Sequence, residues 1–92
     1  MRIIERIRDI QRMSLYVDGD FTVNYKYDEH GRIIQESVTG SANRVIDYEY
    51  DDSDNLLKEI YNDGIKKITK TYSYDLVSGN IMSIHGTTED LI

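Results

Sequence analysis

The sequence predicts a mainly β domain: an antiparallel β-meander of about six to seven strands, with a short N-terminal α-helix. Three observations lead there. From Phe21 onward, apolar and aromatic residues alternate with polar ones at a period of two. A Tyr-x-Tyr-Asp motif recurs at intervals of 23 and 24 residues. Clusters of Asp, Asn, Gly and Ser separate the alternating runs, at the short spacing that favours sequential antiparallel pairing.

The helix is expected over residues 2–12. Ile3, Ile4, Ile7 and Ile10 share one helical face, and the pairs Glu5/Arg8 and Asp9/Arg12 lie three residues apart on the other. Met13, Leu15 and Val17 then alternate, and Asp18-Gly19 is a strong hairpin-turn dipeptide. Strands are expected over 21–27, 32–39, 44–50, 56–61, 65–74 and 80–85. The chain of 92 residues is read as one domain, with repeats covering about 20–43, 44–66 and 67–92.

The repeat supplies its own structural logic. Tyr25 and Tyr27, Tyr48 and Tyr50, and Tyr72 and Tyr74 are each separated by one residue, so each pair shares a strand face. Asp28, Asp51 and Asp75 follow, where a carboxylate can bond backbone N–H groups two residues on. Gly31 and Gly79 supply the positive φ that such a turn needs, and Asp54 or Asn55 must do so in the second copy. An apolar pair comes next each time: Ile33-Ile34, Leu56-Leu57 and Ile81-Met82.

A four-residue turn would set Tyr27 opposite Arg32, Tyr25 opposite Ile34 and Phe21 opposite Val38. The same register would pair Tyr48 with Leu57, Arg44 with Tyr61 and, across a longer turn, Tyr72 with Met82. Ile33, Val45, Leu56, Ile60, Ile65 and Ile81 would then form a second apolar face, the candidate interaction face. One short helix covers one face, so the sheet is expected to curl or to meet another chain.

The run Tyr25-Lys26-Tyr27-Asp28-Glu29-His30-Gly31-Arg32-Ile33-Ile34 resembles the core motif of the YD-repeat (Rhs-type) family. The later copies keep the tyrosines, the aspartate and the apolar pair, with Asn55 and Asn80 in place of the arginine. The resemblance covers about residues 20–86. It implies β-sheet spirals of the kind that form shells of large secreted toxin-delivery proteins, with nothing catalytic in the repeats themselves. Three repeats are too few to enclose a shell, and short arrays leave sticky ends, so self-association or capping by a partner is expected.

Composition narrows the partners. The formal net charge is −6, and four of the basic residues lie within the first thirteen positions. The rest of the chain carries seven basic and fifteen acidic residues, a balance that argues against nucleic acid. No run is apolar enough to span a bilayer or to serve as a signal peptide. A cytoplasmic location is therefore expected, or a secreted or surface one for a piece of a larger YD-repeat protein.

Other chemistry finds little support. Asp51-Asp52-Ser53-Asp54-Asn55 lacks the glycine and closing glutamate of a calcium loop and reads as a solvated acidic turn. His30 and His85 have no neighbouring ligand at metal spacing, and the chain has no cysteine. No nucleophile elbow or phosphate loop occurs. No cofactor, metal or catalytic residue is expected. The leading expectation is a non-catalytic structural or protein-interaction module, forming homo-oligomers or binding a protein. The alternative is a small acidic immunity protein that neutralises a basic toxin; a carbohydrate-binding tyrosine platform ranks last.

Overall fold

A computed structural model describes residues 18–92 of the chain. The expected helix over 2–12 and the alternating segment Met13–Val17 lie outside the described residues. Six antiparallel strands follow in sequence order: β1 (Phe21–Tyr27), β2 (Ile33–Gly40), β3 (Arg44–Tyr50), β4 (Leu56–Asn62), β5 (Lys66–Tyr74) and β6 (Ile81–Asp90). They form one sheet in the order β1-β2-β3-β4-β5-β6, the expected meander.

β1 and β3 have the predicted bounds, while β6 runs five residues beyond its predicted end. The extension is polar, so period-two patterning does not reveal it. It forms because β5 supplies a full-length partner, setting Lys66 opposite Asp90 and Lys67 opposite Glu89. Opposite charges placed across a ladder favour pairing.

The register differs from the predicted one in every hairpin. Tyr27 pairs with Ile33 rather than Arg32, Tyr25 with Glu36 rather than Ile34, and Phe21 with Gly40 rather than Val38. Tyr48 pairs with Glu59 instead of Leu57, and Tyr61 with Ile46 instead of Arg44. Tyr72 pairs with Ile84 instead of Met82. The cause is a β-bulge at the second tyrosine of each motif. Two residues of the returning strand oppose one on the tyrosine strand, so Ile34, Leu57 and Met82 are the extra residues.

The turns behave as the sequence implies. The N–H of Asp28 donates to the Arg32 carbonyl, that of Asp51 to Asn55, and that of Asp75 to Asn80. Positive φ falls on Gly31 (80°), Asp54 (65°) and Gly79 (74°). Asp54 is thus the residue that takes the left-handed position in the second turn.

The core lies on one face of the sheet. Ile46, Tyr48, Leu56 and Tyr72 are buried together, with Ile33, Tyr50, Tyr61 and Tyr74 packed against them. Glu36 and Glu59 are buried on this same face, at 0% and 4% exposure.

Candidate functional site

The bulges redistribute the predicted second apolar face. Ile33 and Leu56 join the tyrosine core, and Ile81, opposite Tyr74, continues their row. Ile65 lies in the β4–β5 turn and is exposed. Val45 and Ile60 remain on the opposite face, among Ser37, Asp47, Lys58 and Thr69. The six residues therefore do not form one surface. A bulge rotates the first residue of each apolar pair toward the tyrosines, which strict alternation does not anticipate.

The repeat residues themselves come together in two layers. At the turn end, Asp28 Oδ1 accepts from the N–H groups of His30 and Arg32. Asp51 Oδ1 accepts from Ser53 and Asn55, and Asp75 Oδ1 from Val77 and Ser78. These backbone donors hold the Asp51 and Asp75 carboxyls below the usual range.

Arg32 binds the first two turns together. Its Nε donates to Asp28 Oδ2 at 2.7 Å and its Nη1 to Asp54 Oδ1 at 2.7 Å. Its guanidinium carbon stands 4.8 Å from the centroid of the Tyr50 ring. In the second copy Asn55 takes the arginine's place, and its Nδ2 reaches Asp51 Oδ2 at 3.1 Å. A polar cleft of about 330 Å³ lies here, lined by His30, Arg32, Tyr50, Asp51, Asp52 and Asp54. The carboxylates of Asp51 and Asp54 are both engaged within the protein. No group of three metal-ligating side chains occurs among the described residues.

The second layer is the tyrosine ladder. The Tyr50 hydroxyl donates to the Ile33 carbonyl at 2.6 Å, and Tyr74 repeats the bond to Leu56 at 2.6 Å. Each bond joins one hairpin to the next. Burial pushes the Tyr50 phenol up to about 12, partly opposed by Arg32. Farther from the turns than these rungs, opposite the first tyrosines Tyr25 and Tyr48, lie Glu36 and Glu59, which sequence reasoning missed. Burial, then the carboxylates of Glu36 and Glu59, raise the Tyr48 phenol. Lys70 Nζ approaches Glu59 Oε1 at 3.4 Å. The available signal was phase: Glu36 and Glu59 are 23 residues apart, at the same position in their repeats.

Residues 27–66 match the RHS Repeat family model. This stretch is similar to an RHS repeat. It runs from the second tyrosine of the first motif, through Arg32 and the Tyr50–Ile33 bond, to the start of β5. RHS repeats are a structural repeat family, not a known enzyme family. No curated protein and no solved structure matches the chain.

Downstream of the matched residues 27–66, the ladder ends in the open among the described residues. Every residue of β6 is exposed, including Ile81, Met82 and Ile84 on or beside the tyrosine face. Leu76 and Val77 project from the adjoining turn. At the other end, β1 exposes Phe21 and Tyr27. Among the described residues, neither β1 nor β6 has a strand on its outer side. His85 stands on the polar face opposite Thr71, and His30 in the first turn.

Proposed function

We propose that this chain is a non-catalytic repeat module that works as a protein-binding scaffold through the open edge of β6 and the adjoining end of its tyrosine face. The observation carrying the proposal is the ladder itself. Tyr50 and Tyr74 each fasten a hairpin to the preceding one, and the third hairpin, ending in β6, presents the same apolar row with no strand fastened to it among the described residues. An exposed strand with unpaired backbone groups and apolar side chains is a template for strand addition.

A photoreactive residue at Met82, compared with one at Lys67 on the polar face, tests this in cells. Protein adducts concentrated at Met82 support the proposal. Adducts confined to Lys67, or none at either site, would remove the edge as the working surface.

A further inference from the structure

We infer that the strand received by β6 is β1 of a second copy of this chain, which joins head to tail in the register of the internal repeat seams. This rests on the scaffold reading above and names its partner.

The chain contains two seams between repeats, and they share one geometry. In the β2–β3 seam, Glu36 faces Ile46 and Val38 faces Arg44. In the β4–β5 seam, Glu59 faces Lys70 and Tyr61 faces Ile68. Counting from the bulge, Glu36 and Glu59 occupy the same position, and Ile84 is its counterpart on β6. Counting back from the first tyrosine of each motif, Ile46 and Lys70 match Val23 on β1.

Continuing the seam therefore sets Ile84 against Val23 of a second copy, Gly86 against Phe21, Ser83 against Asn24 and His85 against Thr22. Each position is chemically suited. Val23 and Phe21 cover the exposed Ile84 and the bare backbone at Gly86. The outer-face pairs are neutral, so no two carboxylates are opposed in a chain of formal charge −6.

The hydroxyl rung continues as well. Tyr27 is the counterpart of Tyr50 and Tyr74, and Ile81 is the counterpart of Ile33 and Leu56. Tyr27 is 57% exposed, and the joint would carry its hydroxyl to the Ile81 carbonyl. Among the described residues, the two exposed ends are thus the two halves of the seam that the chain already makes twice. Because the surfaces differ, the contact is heterologous and adds copies without closing at a dimer.

Sedimentation velocity on the full chain over a wide concentration range tests the inference. The weight-average mass should rise past that of a dimer. Ile84→Lys and Phe21→Lys should each stop the growth, with circular dichroism used to verify the fold. An equimolar mixture of the two should form a dimer and nothing larger, through the intact β6 of one and the intact β1 of the other. Tyr27→Phe, which keeps the ring, should weaken association several-fold.

A wild-type chain that stays monomeric throughout would overturn the inference. So would a Phe21→Lys variant that still dimerises at full strength, since that would mean β6 pairs with itself. Adducts at Met82 to a different protein would overturn the second copy as partner while upholding the scaffold reading. Loss of all edge adducts would overturn both.

Discussion

The hydroxyl of Tyr50 reaches the carbonyl oxygen of Ile33 at 2.6 Å, fastening the second hairpin to the first. Tyr50→Phe removes the donor and leaves the ring. It should destabilise the fold by about 1 kcal/mol, with Tyr74→Phe similar, as judged by urea denaturation. Tyr48→Phe is the contrasting case. That hydroxyl is buried with no hydrogen-bond partner among the described residues, so its removal should cost no stability.

The same phenols set the alkaline limit of the fold. Tyr48 and Tyr50 both have raised pKa values in the folded protein, Tyr50 to about 12. Their contribution is fully present below the unfolded value of about 10 and is lost as pH rises through the folded values. Urea midpoints should therefore fall from about pH 10 upward. Tyrosinate absorbance should show a late fraction that appears together with loss of the fold, and Tyr50→Phe should shrink it.

At the acid end the turn aspartates govern. Asp51, Asp63 and Asp75 are held below 3.8 by hydrogen bonds from the backbone that follows them. Their stabilisation is present above the unfolded value and disappears as pH falls through the lowered folded values. Thermal melts should hold steady down to about pH 4 and decline below it.

Asp54 holds φ at 65° in the position that Gly31 and Gly79 occupy in the other turns. Asp54→Gly and Asp54→Ala both delete the carboxylate that Arg32 contacts, so their difference isolates backbone strain. Asp54→Ala should be the less stable by about 1 kcal/mol in matched urea titrations.

Two glycines separate strain from collision. A Cβ at Gly31 would meet nothing within 4 Å, whereas one at Gly40 would lie 2.6 Å from the Asp20 carbonyl oxygen. Both have positive φ. Gly31→Ala should cost about 1 kcal/mol, and Gly40→Ala clearly more, because backbone must move as well.

The strands and turn chemistry were legible in the sequence because alternation and Asp-initiated turns act locally. The register was not. In each hairpin the true pairing differs from the predicted one by two residues beyond the bulge, as with Tyr25 opposite Glu36 instead of Ile34. A two-residue slip leaves every side chain on its original face, so the apolar pattern is the same in both registers. Only Ile33, Leu56 and Ile81, beside the bulge, change sides, and they made up half of the predicted second face. The buried Glu36 and Glu59 were obscured for a different reason: their residue type reads as surface, although their position in the repeat is that of the core.

The bulge has a further consequence for how such a chain tolerates genetic change. The third turn is one residue longer than the second, yet Tyr74 still meets Ile81 as Tyr50 meets Leu56. Asp75 closes on Asn80 with the same backbone bond that Asp51 makes to Asn55. Turn length and strand phase are thereby uncoupled. One added residue between the aspartate and the bulge leaves the pairing unchanged, whereas one inserted within a strand and not taken up by a bulge inverts the residues beyond it. Length variation in descendants of this sequence should accordingly collect at the aspartate turns, along one rim of the sheet.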